Sequence, residues 1–308
     1  MKIKAIYLLL ILLFCLNGTI IESENFSKKL NQGIKTNSGS LVLLEEYTAT
    51  WCQSCAEIEP GVKELAEIHN ERIALVALHP ADGVDDLGNY ASANRINSLF
   101  NGEIKSTPTF IIDRENVIEG APELSALNSL ILQSQSKKSN FSEIEFSVIR
   151  INNDILLNTS INENSSGIIN LMILENKVTS NNPVGDLDKF DNVLKELISI
   201  NITSKELITN DAGVNFTISE NNDKLEFSVT YKIKGDINIE NIGFISTHEI
   251  LENDNYKVKG VAKIIQGEII VDTQNSDIMV IFALFLFLGI FASLGLLNDN
   301  NKKDEESE

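Results

Sequence analysis

Two cysteines, Cys52 and Cys55, stand three positions apart in the run Trp-Cys-Gln-Ser-Cys at residues 51–55. A pair at this spacing can close a small disulfide loop and open it again, which is the chemistry of thiol–disulfide exchange. The apolar run Leu41–Leu44 precedes the pair and an amphipathic stretch, Ala56–Asn70, follows it, so a strand is expected to pass into a helix here. At a helix N-terminus the unpaired N–H groups and the helix dipole favour a thiolate on Cys52.

Two other uses of this cysteine pair stay open. A zinc site would need two further ligands, and the chain offers only three scattered histidines, His69, His79 and His248. A static disulfide is the second alternative, although such short loops are often strained. Thiol exchange is preferred because the only other cysteine, Cys15, lies in an apolar N-terminal run that we expect to be removed.

The segment from residue 41 to residue 135 alternates between strand-like and helix-like patterns. Apolar residues at helical spacing predict three helices, and runs rich in Leu, Ile and Val predict the strands around them. The predicted strands are Leu41–Glu46, Arg72–Leu78, Thr109–Ile112 and Val117–Ile118, and the predicted helices are Ala56–Asn70, Leu87–Phe100 and Pro122–Ser134. Strands and helices in this order indicate an α/β domain over residues 41–135.

Several residues at fixed places in this α/β segment carry a family resemblance. Glu46 precedes the cysteine motif, Thr107-Pro108-Thr109 opens the predicted hairpin, and Gly120 follows that hairpin. Together with Trp51-Cys52-Gln53-Ser54-Cys55, these features resemble the thioredoxin-like superfamily over residues 41–135. The expected fold is therefore an α/β thioredoxin-like domain.

The resemblance implies a role for each residue of the motif. Cys52 is expected to be the exposed nucleophile and Cys55 the buried resolving thiol. Pro108 is expected to take the cis form beside the disulfide, where it shapes the substrate groove with Thr107. Glu46 is expected to be the buried acid that accepts the proton of the resolving thiol, with a pKa raised by burial, as a general base near neutrality requires.

Some parts of this assignment have alternatives. Trp51 is expected on the rim of the site, but it could instead be a core residue. Glu45 stands next to Glu46, and a one-residue shift of register would exchange the inward acid with one on a solvated face. Gln53-Ser54 matches neither the strong reductants nor the familiar oxidants of the family, so the direction of the reaction is not readable. His79 is expected to be an ordinary loop histidine rather than part of the site.

The second half of the chain has a different character. A polar stretch, Gln133–Asn140, reads as a linker, and residues 141–272 are rich in alternating apolar and polar segments bounded by turn residues. This pattern predicts an all-β, sandwich-like domain without catalytic residues, interrupted by one helix at about Asp186–Leu197. The predicted strands are Glu143–Ile151, Asp154–Ile161, Ile168–Leu174, Val214–Ile218, Lys224–Ile233, Ile242–Ile250 and Tyr256–Ile265.

The two ends of the chain predict where the protein is located in the cell. Residues 1–22 read as a signal peptide or N-terminal anchor, residues 24–40 as a polar leader, and residues 278–297 as a transmembrane helix. Lysines follow that span and aspartates precede it, so residues 298–308 are expected to be a cytoplasmic tail, with the bulk of the protein facing the exterior of the cell membrane. Asn-x-Ser/Thr patterns, of which some arise by chance in so Asn-rich a chain, are glycosylation acceptors if the cell has the machinery, as at Asn25, Asn140, Asn158, Asn164, Asn201 and Asn215.

The composition of the chain excludes some classes of function and partner. A net charge of −19 argues against a nucleic-acid partner, which would need a basic face. No cofactor and no metal are expected, and the partners implied are protein thiols and disulfides. A reductase outside the cell would also need a separate membrane redox partner, because a single span without cysteines cannot carry electrons. The predicted function is a membrane-anchored extracytoplasmic thiol–disulfide oxidoreductase; the alternative is a redox-inert scaffold in a surface adhesion or assembly protein.

Overall fold

The computed structural model describes residues 26–103, 105–185, 187–210, 214–221, 223–235 and 237–265. The predicted signal peptide, transmembrane helix, cytoplasmic tail and the Asn25 pattern lie outside these residues. Within the described ranges, no helix has the length and apolar character needed to span a bilayer. All of the described residues belong to one compact unit.

Helices and strands are numbered in chain order. The helices are α1 (Phe26–Gln32), α2 (Gln53–His69), α3 (Tyr90–Phe100) and α4 (Leu124–Lys137), with short 3-10 turns at Asn70–Arg72 and Ile239–Asn241. The strands are β1 (Ile34–Ser38), β2 (Val42–Tyr47), β3 (Ile73–Leu78), β4 (Thr109–Ile112), β5 (Asn116–Glu119), β6 (Ile144–Ile151), β7 (Asp154–Asn162), β8 (Ile168–Glu175), β9 (Val193–Asn201), β10 (Glu206–Asn210), β11 (Asn215–Asn221), β12 (Lys224–Lys232), β13 (Ile242–Glu252) and β14 (Asn255–Ile264). The predicted strand and helix order of residues 41–135 is confirmed, with ends that differ by up to three residues.

One large sheet runs through both halves of the chain. Its strand order is β14-β13-β8-β9-β3-β2-β4-β5, with β10 paired to β9. The strands β3, β2, β4 and β5 belong to the α/β segment, and β9 joins them by pairing in parallel with β3, where Ala77 is opposite Val193. The predicted α/β region followed by a sandwich-like β region is confirmed, and the two regions share this sheet.

A second sheet, ordered β1-β6-β7-β12-β11, completes the sandwich. Its inward side chains, including Phe146 and Phe227, pack against Phe244 and Leu171 of the large sheet in one apolar core. The alternation of buried and exposed residues along β7 and β12 matches a strand with one face inward.

Two predictions for the flanking segments are wrong. In place of the helix predicted at Asp186–Leu197, the described residues 187–192 contain no helix and Val193–Leu197 belong to β9. A short apolar run fits a buried strand as well as a helix, and the place of β9 between β3 and β8 decided the outcome. Within the predicted polar leader at residues 24–40, the described residues 26–40 contain α1 and β1, because Leu30 and Ile34 are buried in the sandwich core.

A buried ion cluster joins the two halves. The guanidinium of Arg95 on α3 donates two hydrogen bonds to Glu45 on β2, at 2.6 and 3.0 Å, and a third to Glu249 on β13 at 2.7 Å. Arg114 donates to the other oxygen of Glu249 at 3.1 Å. Burial by itself would raise the pKa of Glu249, but the two guanidinium groups hold it below its ordinary value.

Candidate redox site

The cysteine pair lies where β2 passes into α2. Cys52 is the N-cap of α2 and its sulfur accepts the Cys55 N–H at 3.1 Å, so it satisfies one of the unpaired donors of the first helical turn. The two sulfurs form a disulfide, with the Cα atoms 5.2 Å apart. The hydroxyl oxygen of Ser54 is 3.5 Å from the Cys52 sulfur. The predicted strand–cysteine–helix arrangement is therefore confirmed.

The predicted exposure of Cys52 is wrong. Cys52 is 6% exposed and Cys55 is 2% exposed, so both are buried in the disulfide form and only a small part of Cys52 is accessible. Ala49 packs against both cysteines. Trp51 beside them is 41% exposed, and its indole N–H donates to Asp82 at 3.0 Å. Trp51 is therefore on the surface next to the pair and not in the core.

Pro108 is in the cis form, as the resemblance implied. It is buried, Thr107 is partly buried, and the Pro108 carbonyl accepts the Gly120 N–H at 2.8 Å. In the register of the large sheet, Thr109 is opposite Tyr47, the last residue of β2. Thr107 and Pro108 therefore lie beside the end of β2 from which the cysteine loop begins.

Glu46 faces the helix that carries the cysteines. Its neighbours two and four positions back, Leu44 and Val42, pack against Ile58 and Val62 of α2, and alternate residues of a strand share a face. Glu46 is only 1% exposed, so the predicted inward acid is in place, while its oxygen Oε1 has no hydrogen-bond partner in the described part. Burial raises the pKa of Glu46 well above its ordinary value.

Sequence reasoning missed a second carboxyl beside Glu46. Glu59 of α2 is within hydrogen-bonding reach of Glu46, and its negative charge raises the pKa of Glu46 further. Burial also raises the pKa of Glu59. Glu59 stands four residues after Cys55, so the two side chains share one face of α2. The four-residue spacing from Cys55 was the feature of the sequence that could have indicated Glu59 as part of the site.

His79 lies in the loop after β3, as predicted, and is fully buried there. Its Nδ1 is 2.9 Å from Asp85, and its ring meets Phe190 edge-on at 5.6 Å between ring centres. Asp85 also accepts the Thr50 N–H at 3.0 Å and the Leu87 N–H at 2.9 Å. Asp85 therefore fixes the backbone just before the cysteine motif and the side chain of His79 together.

The β-rich half contributes a loop to the surroundings of the site. The segment 176–192, between β8 and β9, reaches the cysteine loop, where the Val184 N–H donates to the Thr50 carbonyl at 2.9 Å. Asp86 accepts a hydrogen bond from Ser180 at 2.6 Å, and Lys63 of α2 pairs with Asp191. These contacts join residues about a hundred positions apart, so no local sequence signal predicted them.

The described residues contain no group of three or more potential metal ligands among His, Cys, Asp and Glu. His69 binds Asn128, and His248 binds Ser142 and the Ser166 carbonyl, so each has a partner away from the cysteines. The arrangement can instead support proton and electron exchange at two sulfurs, with carboxyl groups behind them.

The comparisons with known proteins agree with this geometry. Residues 18–133 match the family model of thioredoxin. HBP35 of Porphyromonas gingivalis is similar in fold, with a TM-score of 0.59 and 14% sequence identity, over 75% of this chain and 76% of that one. The germline-specific thioredoxin Deadhead of Drosophila melanogaster is 21% identical over 30% of this chain and 81% of its own, at a TM-score of 0.24. No curated protein sequence matches the chain. The protein carries a domain of the thioredoxin-like superfamily.

Proposed function

We propose that this protein is a membrane-anchored thiol–disulfide oxidoreductase that faces the exterior of the cell and acts on protein disulfides. The observation that carries the proposal is the Cys52–Cys55 disulfide at the start of α2, with the buried acid Glu46 facing that helix. Membrane attachment and the outward orientation are supported by the sequence alone, through the apolar run at residues 278–297 and the lysines that follow it.

Substrate reduction proceeds in two exchanges. The reduced Cys52 thiolate attacks one sulfur of a substrate disulfide, and the second substrate sulfur leaves as a thiolate that takes a proton from water. Cys55 then gives its proton to Glu46 and attacks the Cys52 sulfur, which releases the first substrate sulfur as a thiolate. Two electrons pass from the cysteine pair to the substrate, and the pair ends as the disulfide. Substrate oxidation is the same sequence reversed.

Three neighbours shape this step. The helix N-terminus stabilises the Cys52 thiolate, since its N–H groups point at the sulfur. The cis Pro108 has no N–H and leaves the adjoining backbone open to an extended substrate segment, which Thr107 borders. Trp51 offers an exposed aromatic surface next to the nucleophile.

The test uses the full-length protein in a Cys15→Ser background, so that only the proposed pair remains. We expect Cys52→Ser to abolish insulin-disulfide turnover, because no other sulfur can start the exchange, and Cys55→Ser to accumulate a mixed disulfide with a substrate. Ser125→Ala, at an exposed position of α4, is the control and should retain turnover. Turnover that persists in a folded Cys52→Ser variant would contradict the proposal.

A second candidate is a redox-inert scaffold in a surface adhesion or assembly protein. The low accessibility of Cys52 favours it, since a disulfide at 6% exposure is poorly placed for attack. If full-length protein neither turns over insulin nor forms a trapped mixed disulfide as Cys55→Ser, this second candidate is the correct one.

A further inference from the structure

We propose that Glu59 is a second carboxyl in the proton-transfer path of this site: it shares the proton that Glu46 takes from Cys55 and passes it to a solvent-filled cavity behind helix α2. This inference rests on the proposed oxidoreductase function and assigns a positioning role to a residue that does not touch the reacting sulfurs.

The geometry places the three groups in sequence. Cys55 and Glu59 are one helical turn apart on the same face of α2. Glu59 is within hydrogen-bonding reach of Glu46 across the helix–sheet interface. Glu46 has one buried oxygen without a partner in the described part, so a proton taken up there has a single carboxyl neighbour to move to.

The far side of Glu59 meets solvent. Glu59 is partly exposed and lines a cavity of about 480 Å³ between α2 and the β-rich half. Lys63 and Asp191 line the same cavity, and the exposed residues Lys177 and Lys189 stand around it. Glu46, at 1% exposure, has no such access of its own. A proton can therefore leave through Glu59 without crossing the surface where a substrate would bind.

The charged surroundings of Glu59 come from four elements. Glu46 on β2 shares its proton, His79 after β3 and Lys63 on α2 lower the pKa of Glu59, and Asp191 before β9 raises it. Two adjacent carboxyls, of which Glu46 is buried, disfavour double ionisation, so the pair holds one proton over a wider range of pH than an isolated carboxyl does.

The proton balance closes. At the start Glu46 is ionised and Glu59 holds the one proton of the pair. Cys55 gives its proton to Glu46, Glu59 releases its own proton to water at the cavity, and the remaining proton then passes from Glu46 to Glu59. The Cys55 thiolate then forms the bond to the Cys52 sulfur, and the substrate thiolate leaves. No oxidant or reductant beyond the substrate disulfide is required.

The experiment uses the fluorescence of Trp51, the only tryptophan of the chain, next to Cys52. Reduced full-length protein is mixed rapidly with a peptide disulfide between pH 5 and pH 9, and the phase for attack by Cys52 is separated from the phase for resolution by Cys55. For Glu59→Gln we expect resolution to be roughly tenfold slower. We also expect its pH midpoint to fall by about one unit, because Glu46 loses a like-charged neighbour.

Two further variants separate the relay from a folding defect. Glu57→Gln removes an exposed carboxyl from the same helix and should leave both phases unchanged. Lys63→Gln should move the midpoint upward by a few tenths of a unit, since Lys63 lowers the pKa of Glu59. Opposite shifts in these two cavity variants, Glu59→Gln and Lys63→Gln, cannot come from a general loss of structure.

Failure of the relay and failure of the proposed function give different results in this experiment. If wild-type protein shows both phases and Glu59→Gln has the same rate and midpoint as Glu57→Gln, the relay is overturned and the oxidoreductase function stands. If wild-type protein shows no fluorescence change with the peptide disulfide, the proposed function is overturned and the relay with it. Slower resolution with a lowered midpoint in Glu59→Gln alone supports the relay.

Discussion

The two faces of strand β2 bury consecutive glutamates in opposite electrostatic environments. Glu45 is fully buried and receives two hydrogen bonds from Arg95. Glu46, at 1% exposure, has another carboxyl, Glu59, as its neighbour. The first acid is paired with a guanidinium, whereas burial and the like charge of Glu59 raise the pKa of the second.

The difference shows what a buried carboxyl needs in order to be structural or reactive. An acid that accepts two hydrogen bonds from an arginine can anchor α3 to β2, and the same arginine reaches β13 through Glu249. An acid without a cation, such as Glu46, has a raised pKa and can therefore take a proton from a thiol more readily, which a thiol-exchange site requires. Four predictions test this contrast, from the largest expected effect to the smallest.

Arg95→Leu should lower the free energy of unfolding by about 3–5 kcal/mol, because it leaves Glu45 without its partner and Glu249 with only Arg114 in the buried cluster. Urea denaturation of the full-length protein measures the change. Arg72→Leu, at an exposed position, is the control and should change stability little. Equal stability of the two variants would show that the ion cluster does not hold the halves together.

Asp85→Asn tests a buried acid whose partners are His79 and two backbone N–H groups. We expect a loss of about 1–3 kcal/mol, since one of those donors is left without an acceptor. Urea denaturation again gives the value, and Asp86→Asn, with its more exposed carboxyl, serves as the matched control. A loss as large for Asp86→Asn would mean that the buried contacts of Asp85 stabilise the protein no more than the contacts of the exposed Asp86 do.

Glu46→Gln should stabilise the protein above neutral pH and slow its resolution step. A raised pKa in the folded state means that ionised Glu46 opposes folding: its contribution is fully favourable below the unfolded pKa and is lost as pH rises through the folded pKa. The melting temperature of the variant should therefore exceed that of the wild type at pH 8, by roughly 2–4 °C for each kcal/mol regained, and match it near pH 4.

The opposite pH dependence is expected for Glu249 on β13, in the ion cluster that holds Glu45 on the other face of β2. The pKa of Glu249 is lowered by Arg95 and Arg114, so its contribution to stability is present above the unfolded pKa and is lost as pH falls. A Glu46→Gln protein that gains stability at pH 4 rather than at pH 8 would reverse the assignment of the two faces.

Lys224→Gln should have the smallest effect, below about 1 kcal/mol, because the lysine pairs with Glu145 at the surface and Lys35 remains 3.3 Å from the same carboxylate. Thermal unfolding at low and high salt measures it, and the wild type and variant should converge in high salt. A loss of stability comparable to that of Arg95→Leu would show that burial does not decide how strongly an ion pair stabilises this protein.

Much of the α/β region was predictable, since its features are local. The strand before Cys52 and the helix after it follow from residues close in sequence, and the cis form of Pro108 was implied by the family resemblance. The inward orientation of Glu46 followed from the family resemblance. Outside this region the predictions failed where local patterns were ambiguous, as for the run that became β9 instead of a helix.

The sequence by itself determined which groups are available: two sulfurs at a helix start, a proline suited to a cis bond and a pair of acids on one strand. The tertiary structure alone decided the partners of those acids, since the hydrogen bonds from Arg95 span 50 residues to Glu45 and 154 residues to Glu249. It also brought the segment between β8 and β9 onto the cysteine loop. The physical reason is that charge pairing and burial depend on which distant elements share a sheet, and β9 joined the sheet of the redox site through β3.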